Sequence, residues 1–261
     1  MGDPRGAVVL VTDYGDGDSY AGALAGALWS VDPGLRWTVG THGVLPGDVL
    51  GGGYHLKALA QAFPEGTVFC AVVDPGVGTS RRVLAVEVDG GVRCVAPDNG
   101  LCSWLWEEAG ERRCVAVPVP ADVSPTFAGR DLLAPVAARL ALGLPLEECG
   151  TPMHDPVVLR EAFPRRVRAS LYGRVCVVDR FGNAITTVRK ADLGGARPVA
   201  ARWNGGGTRR RVRTYAEIGG GLAMLVGSAG HLEVAARDAP AGPLGGPPLG
   251  AMVRVELGAG G

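Results

Sequence analysis

The sequence lacks an excess of charge, long apolar segments and a signal pattern, and each absence excludes a class of protein. Its 26 Lys and Arg residues balance 26 Asp and Glu residues, so no net field favours nucleic acid or an anionic membrane as a partner. The longest apolar runs are strand-sized, and the N-terminus has no basic segment followed by an apolar one. We therefore expect a cytoplasmic protein, with no nucleic acid and no membrane as partner, that acts on a small molecule.

Paired cysteines are also lacking, because the six cysteines are scattered and form no C-x-x-C motif. Several lie inside apolar strand-like runs, where an unpaired cysteine acts as a small hydrophobic residue. This argues against a zinc site or a disulfide framework and fits a reducing compartment. The acidic run 13–18 lacks the spacing of a cation-binding loop. We therefore predict neither a metal nor an organic cofactor.

What the sequence has, in its first part, is an alternation of strand-like and helix-like segments. Residues 7–12 form a continuous apolar run that ends in an acidic glycine turn, and a helix rich in small residues follows. A further strand is predicted at 67–73, and two runs around Gly90-Gly91 predict a β-hairpin. We predict an α/β N-terminal domain, residues 1–151, with an open, mainly parallel sheet and flanking helices.

The second part of the chain has a different pattern. Residues 152–166 contain three prolines among charged residues and are predicted to be a linker. Short strand-like segments follow, one of them at 210–218, and no helix of ordinary length lies between them. Residues 167–261 are therefore predicted to form an all-β domain, a barrel or a sandwich.

The stretch 69–82 is the strongest candidate for a functional site. A buried strand stops at Asp74-Pro75-Gly76-Val77-Gly78, and Arg81 follows seven residues after the carboxylate. Open α/β sheets place their chemistry at the carboxyl ends of strands. The alternative is a sharp turn with an ion pair on the surface.

Five other residues of the first domain are candidates for the site. Asp13 follows a strand and suits the two hydroxyls of a ribose; the alternative for Asp13 is a helix cap or an Asx-turn, which Asp18 fits better. His42 lies in a loop after a strand, where it either contacts a ligand or is hydrogen-bonded within the protein. Asn99 either reads the edge of a base or ties its own turn. Phe127 belongs to the core or packs on a purine or thioether.

Two turns of the second domain carry polar groups. Asp179, Phe181 and Asn183 surround a glycine at the end of a strand, and Ser228 lies in a second tight turn. For each taken alone, an ordinary turn is the favoured interpretation.

Five motifs in this order resemble one family. They are T-D-Y-G-D-G-D-S-Y, V-D-P-G-V-G-T, A-P-D-N-G-L, T-F-x-G-R-D-x-x-A-P and D-x-F-G-N, and the resemblance runs from about Val8 to Ala239. The family is the S-adenosyl-L-methionine (SAM) hydroxide adenosyltransferases, which are SAM hydrolases related to the fluorinase and the chlorinase. The resemblance implies a homotrimer whose subunits combine an α/β N-terminal domain with a β-barrel C-terminal domain.

The family's site residues can be carried over by motif. SAM is expected between the N-terminal domain of one subunit and the C-terminal domain of its neighbour. Asp13 would then hold the ribose hydroxyls, and Asp18 would lie near the methionine end. By the same match, the neighbour supplies Asp179 and Ser228 for the methionine amine and carboxylate, and Phe181 and Asn183 for the adenine.

The resemblance assigns Asp74 and Arg81 to a triad that orients water at the ribose C5′. Water then displaces methionine as a neutral thioether, giving adenosine and L-methionine. Such a leaving group needs no general acid, so the enzyme must hold the nucleophile in line and accept one proton. The turn V-D-P-G-V-G-T is of the hydrolase type, which favours water over halide.

Three positions depart from the family pattern. Ala128 replaces the histidine of the triad, Gly47 replaces an aromatic residue that packs on the substrate, and Thr186-Thr187 replaces a Thr-Asn pair. Two alternatives therefore stay open beside the hydrolase. One is transfer of C5′ to a halide or an organic nucleophile in specialised metabolism, since both smaller residues enlarge the cavity. The other is a protein that binds SAM without turnover.

Overall fold

The computed structural model describes residues 6–258 and divides them into two compact units. The first unit ends at Leu159 and the second begins at Arg160. The predicted two-domain architecture is therefore confirmed. Within the described range, no helix has the length and apolar character needed to cross a membrane.

The first unit alternates strands and helices, as the sequence predicts. Its helix α2 begins after Asp48, whose side chain accepts a hydrogen bond of 2.9 Å from the amide of Gly51. One π-helical turn, Gly129–Leu133, leads into α4. The elements are β1 (Val8–Thr12), α1 (Tyr20–Val31), β2 (Trp37–Thr41), α2 (Val49–Ala62), β3 (Val68–Val72), β4 (Val83–Val88), β5 (Val92–Pro97), α3 (Ser103–Glu108), β6 (Arg112–Val117), α4 (Ala134–Ala141) and β7 (Thr151–Met153).

The sheet of the first unit is mixed, in the order β2-β1-β3-β5-β4-β6-β7. The pairs β1–β2, β1–β3 and β3–β5 are parallel, whereas β4–β5, β4–β6 and β6–β7 are antiparallel. The expectation of a mainly parallel sheet is therefore wrong. The predicted hairpin β4–β5 reverses the direction of the chain, and β6 and β7 extend the sheet from its antiparallel side.

Helices cover both faces of this sheet. On one face α1 and α4 pack on the core, with Leu24, Leu28 and Leu140 fully or almost fully buried. On the other face α2 and α3 contribute Leu56 and Leu105 to a second core cluster. Small residues in α4 let this helix pack closely on the sheet. Because helices cover both faces of the sheet, its central strands are continuous apolar runs.

The strand order creates a crevice between β1 and β3. The chain leaves β1 to form β2 on one side and returns to form β3 on the other side. Thr12 pairs with Val72 at the ends of these two parallel strands. Because the two strands are parallel, their carboxyl ends lie at the same edge of the sheet. Asp13 and Asp74 come just after these ends, where α/β proteins bind their ligands.

The second unit is one curved sheet of antiparallel strands. Its order is β12-β11-β15-β9-β10-β14-β13, and β8 pairs with β9 beside this path. The chain beyond β12 bridges to β13 through backbone hydrogen bonds of 2.9 Å from Met224 to Arg210 and 3.1 Å from Val212 to Met224. The sheet is therefore nearly closed into a barrel. The strands are β8 (Arg165–Val167), β9 (Ser170–Val178), β10 (Ala184–Arg189), β11 (Pro198–Trp203), β12 (Gly206–Thr208), β13 (Leu222–Val226), β14 (His231–Ala236) and β15 (Met252–Leu257).

The segment 210–218 is not the strand that its sequence predicts. It makes a single bridge at Arg211 and contains a 3₁₀ turn at Tyr215–Glu217. Its apolar side chains Val212 and Ile218 pack over Leu225 and its neighbours on β13 and β14. The alternation of apolar and polar residues here reflects a segment that covers the sheet with one face buried. Burial of one face does not require the hydrogen bonds of a β-strand.

The residues 152–166, predicted to be a linker, are distributed over both units. Pro152 lies in β7, an edge strand, where a missing amide hydrogen is tolerated. Asp155 accepts a hydrogen bond of 3.1 Å from Arg82, and the amide of Val157 donates one of 2.7 Å to Asp98. Strand β8 belongs to the second unit. The cysteines, as predicted, are all free and buried.

Candidate active site

A cavity of about 350 Å³ lies at the carboxyl ends of β1 and β3. This volume is at the lower end of the range of small-molecule sites. The predicted site residues Asp13, Asp18, Asp74 and Phe127 all line it, together with Ala128. The structure therefore brings together side chains that are more than one hundred residues apart in the chain.

Asp74 and Arg81 form a closely fitted ion pair beside this cavity. The guanidinium Nε donates to Oδ1 over 2.7 Å, and Nη2 donates to Oδ2. Only 6% of the Asp74 side chain and 12% of the Arg81 side chain are exposed. The pair is therefore not a loose contact on the surface, and its two parallel hydrogen bonds fix the plane of the carboxylate.

The carboxylate of Asp74 has one acceptor position left. Its Oδ1 accepts from Arg81 Nε and, over 3.2 Å, from the amide of Gly76. Its Oδ2 accepts from Arg81 Nη2 and from no other group among residues 6–258. A carboxylate offers about four lone pairs, so one lone pair on Oδ2 remains for a molecule in the cavity.

The turn after Asp74 packs against the loop that carries Phe127. Gly78 has a φ of 81°, and a Cβ atom there would lie 2.7 Å from the carbonyl oxygen of Pro125. Only glycine combines this backbone conformation with this close approach. The turn V-D-P-G-V-G-T and the loop T-F-A-G-R-D therefore form one structural unit.

Asp13 is held from the loop after β2. The amide of Gly47 donates a hydrogen bond of 2.8 Å to Asp13 Oδ2. Asp18 is exposed and lines the cavity, and the N-cap residue of α1 is Ser19, whose side chain makes no capping bond. The two carboxylates therefore face the cavity, and neither is needed to start the helix.

Phe127 belongs to a cluster of three aromatic rings. Its centroid lies 5.9 Å from that of Tyr14 and 5.3 Å from that of Tyr20, with edge-to-face geometry in both pairs. The guanidinium of Arg130 lies 4.8 Å from the Phe127 centroid. Arg130 also forks onto Asp131, and its hydrogen bond is the main cause that lowers the Asp131 carboxyl pKa. This pair places the guanidinium over the Phe127 ring, which lines the cavity.

Tyr14 is a cavity residue that the sequence interpretation missed. Burial, with smaller contributions from Cys70, Asp13 and Asp74, raises the phenol pKa far above its ordinary value. Its hydroxyl lies against Gly129, where a Cβ atom would collide with it. The signal was present, because Tyr14 directly follows Asp13 in T-D-Y-G, but nothing in the local pattern indicates where its ring points.

Asn99 and His42 make hydrogen bonds within the first unit. Asn99 Nδ2 donates to the carbonyl of Val73 over 2.9 Å, and its Oδ1 accepts from the amide of Leu101 over 3.1 Å. These bonds tie the turn to the end of β3, and contact with a substrate stays a prediction. His42 Nδ1 lies 2.7 Å from Thr12 Oγ1, and burial lowers the pKa of its imidazole. This contact joins the ends of β1 and β2.

The predicted residues of the second unit form a self-contained turn. Asp179 Oδ1 accepts from the amides of Phe181 and Asn183, over 2.9 Å and 2.8 Å, and its Oδ2 accepts from Asn183 Nδ2 over 2.9 Å. Phe181 is 78% exposed, whereas Asn183 is buried. The turn thus exposes a large aromatic ring, and the polar groups that support the turn are hydrogen-bonded to one another.

Glu233 is a second residue that the sequence interpretation missed. Its buried carboxylate lies beneath the turn that carries Ser228, since a Cβ atom on Gly227 would collide with it. The hydroxyl of Tyr215 donates to Glu233 Oε2 over 2.6 Å. Burial raises the Glu233 pKa, the Tyr215 hydrogen bond opposes that shift, and the nearby charge of Asp179 adds to it.

The sequence of both units matches one family. The pattern of the SAM hydroxide adenosyltransferase N-terminal domain matches residues 8–150, and that of its C-terminal domain matches residues 173–253. The chain belongs to the SAM hydroxide adenosyltransferase family. The resemblance found in the five motifs is therefore confirmed.

Individual relatives share most of the chain. A protein of Thermus thermophilus named (R)-S-adenosyl-L-methionine hydrolase is 39% identical over 87% of this chain and 91% of its own length. A protein of Salinispora tropica with the same name is 38% identical over 96% of this chain and 98% of its own length. A fluorinase of an Actinoplanes species is 31% identical over 71% and 72%. A solved structure of an uncharacterized conserved protein from Thermotoga maritima covers 95% of this chain and 99% of its own, with a TM-score of 0.85 and 30% identity.

Proposed function

We propose that this protein is a SAM hydrolase, in which water displaces L-methionine from the ribose C5′ to give adenosine. The observation that carries the proposal is the ion pair of Asp74 and Arg81 beside the cavity. The relatives named (R)-S-adenosyl-L-methionine hydrolase support the substrate. Their names specify the R configuration at the sulfonium, and we extend this preference to the present chain.

The reaction requires a water molecule that is positioned at C5′, and it does not require a general acid. The C5′–O bond forms as the C5′–S bond breaks, and the electron pair of the broken bond goes to sulfur. Methionine therefore leaves as a neutral thioether, while the attacking oxygen must lose one proton. The free lone pair of Asp74 Oδ2 is suited to orient the water and then to accept this proton. Arg81 keeps the carboxylate in one plane throughout.

The carboxylates at the cavity suit the other parts of the substrate. Asp13 uses Oδ2 for the amide of Gly47, so its Oδ1 is available to the ribose hydroxyls. Asp18, which is exposed at the cavity, is proposed to lie near the methionine end, where a carboxylate suits the ammonium group. Phe127 offers a ring edge and face for apolar parts of the substrate.

The second unit supplies the remaining contacts in this proposal. In a homotrimer, Asp179 and Ser228 of a neighbouring subunit would bind the methionine amine and carboxylate. Phe181 and Asn183 of that subunit would meet the adenine. The 78% exposure of the Phe181 ring supports such a role, because a large exposed aromatic side chain gains most from being covered by a ligand or partner. SAM acts as the substrate, and no metal or organic cofactor takes part.

The test is to incubate the purified protein with SAM and to identify the nucleoside by mass spectrometry. We expect adenosine and methionine in equal amounts, and loss of turnover in Asp74→Asn. Asp16→Asn is the matched control, since Asp16 is an exposed carboxylate of the neighbouring loop. Equal rates in the two variants would contradict the role of Asp74. Intact SAM recovered with the protein would instead identify a binding protein.

A second candidate reaction uses a halide or an organic nucleophile at C5′. Ala128 lines the cavity with a methyl group where the family pattern has an imidazole, and this leaves room beside C5′. The same incubation with chloride or fluoride distinguishes the reactions. A 5′-halogenated nucleoside would establish halide transfer, whereas adenosine alone in both salts would exclude it for these two ions.

A further inference from the structure

Asp74 alone cannot fix the orientation of a water molecule. Three of its acceptor positions are used by Arg81 and Gly76, and one lone pair on Oδ2 is left. A water held by one hydrogen bond rotates about that bond, so its own lone pair points at C5′ only part of the time. An efficient site therefore needs a second hydrogen-bonding group on the same cavity wall.

The Tyr14 hydroxyl is such a group. It lies against Gly129, which directly follows Ala128 on the wall of the same cavity. Tyr20 and Phe127 hold its ring from two sides, with centroids at 5.8 Å and 5.9 Å. Among residues 6–258, no group makes a hydrogen bond with this hydroxyl.

The other hydroxyls at the cavity are less suitable. Thr126 Oγ1 lies 3.3 Å from Ser124 Oγ, which competes for it. Tyr20 is half exposed and lies at the edge of the cluster, where bulk water reaches it. Tyr14 is thus the hydroxyl that is both enclosed and free.

We propose that Tyr14 and Asp74 together hold the attacking water, and that the Tyr14 hydroxyl takes the position that a histidine at residue 128 would occupy. This inference rests on the proposed hydrolase function. The water donates one hydrogen to Asp74 Oδ2 and the other to the phenol oxygen. Both hydrogens then point away from C5′, and a lone pair of the water oxygen points toward it. After attack, the surplus proton passes to Asp74, and the phenol is unchanged.

The surroundings of Tyr14 keep it neutral, as this role requires. Burial and the carboxylates of Asp13 and Asp74 disfavour a phenolate, so the pKa of Tyr14 is raised. A neutral phenol accepts a hydrogen bond without competing with Asp74 for the proton. The residue therefore orients the nucleophile, and Asp74 is the base.

A double-mutant cycle tests the inference, with adenosine release measured for the parent, Tyr14→Phe, Ala128→His and the double variant. Phenylalanine keeps the ring contacts, so the thermal midpoint serves as a check that the fold is retained. We expect Tyr14→Phe to lower kcat roughly 10- to 100-fold while KM for SAM changes less than about twofold, because water is misplaced and SAM binding is not. We expect Ala128→His to raise kcat more in the Tyr14→Phe background than in the parent.

Four results would overturn the inference. Parental kcat in Tyr14→Phe would show that the hydroxyl does not hold the water. A rise in KM as large as the fall in kcat would assign Tyr14 to general substrate binding. Equal effects of Ala128→His in both backgrounds would show that the two side chains do not share a position. A parent that forms no adenosine would overturn the proposed function itself, and this inference with it.

Discussion

Gly47 donates its amide hydrogen to Asp13 Oδ2 over 2.8 Å, although 34 residues separate the two in the chain. This bond joins the loop after β2 to the end of β1 and fixes one oxygen of a carboxylate at the cavity. Gly47 has a φ of 72°, a left-handed conformation that glycine adopts without strain. Gly47, which replaces an aromatic residue of the family pattern, therefore suits the backbone conformation of this loop.

The first prediction concerns Gly47→Ala. A side chain in the left-handed conformation strains the backbone, so we expect a loss of about 1 kcal/mol in the free energy of unfolding. Because Asp13 shifts with the loop, KM for SAM should also rise. Gly17→Ala is the control, since a Cβ atom there meets nothing within 4 Å. Equal stability of the two variants in urea denaturation would contradict the strain argument.

The second prediction concerns the geometry of the ion pair. Arg81→Lys retains the charge but cannot hold both oxygens of Asp74, so the plane of the carboxylate is released. We expect kcat to fall roughly tenfold or more, with little change in KM. Arg82→Lys is the matched control, because Arg82 pairs with Asp98. Both variants are measured by steady-state kinetics. An equal loss of activity in Arg81→Lys and Arg82→Lys would refute the argument.

The third prediction concerns the stability that this pair provides. Removing one partner leaves the other as a buried, unpaired charge, so Arg81→Ala should destabilise the protein by about 3 kcal/mol or more. The double variant Asp74→Ala/Arg81→Ala should be less destabilised than the sum of the single variants. Additive losses in chemical denaturation would show that the two side chains do not depend on each other.

The fourth prediction concerns the pH dependence contributed by Glu233. Its pKa is raised in the folded state by burial, above the ordinary value of 4.5. Glu233 therefore contributes stability that is fully present below pH of about 4.5 and is lost as pH rises through the folded pKa. We expect the free energy of unfolding of the parent to fall relative to Glu233→Gln over this window. A constant difference between the two proteins from pH 4 to pH 8 would contradict it.

The Tyr215 hydrogen bond gives the Glu233 experiment an internal check. This bond opposes the effect of burial on the pKa of Glu233. In Tyr215→Phe the pKa should rise further, so the loss of stability should extend to higher pH. A shift to lower pH would mean that the hydroxyl does not stabilise the ionised carboxylate.

The parts of the fold that the sequence predicts are those set by local pattern. Strands β1 and β3 could be predicted from the sequence, because each is an apolar run that ends at a turn rich in glycine, proline and aspartate. The strands β11 and β12 have a weak sequence signal, because β11 begins with Pro198 and two of the three residues of β12 are glycine. The mixed order of the first sheet was missed because the local pattern does not state which edge of a sheet a hairpin joins.

The site shows the same division. Asp74 and Arg81 could be paired from the sequence because they flank one turn. Tyr14 and Glu233 could not be placed, since their positions depend on Gly129 and Gly227, which approach them only in the folded chain. Contacts of this kind arise from packing between distant segments and carry no periodic signal.

The central claim is that solvent water attacks C5′ of SAM at Asp74. The most direct measurement is single-turnover cleavage of SAM in ¹⁸O-enriched water, with mass spectrometry of both products. The account predicts one ¹⁸O atom in the adenosine, none in the methionine, and no labelled product from Asp74→Asn. Unlabelled adenosine, label in methionine, or undiminished labelling in the variant would contradict it.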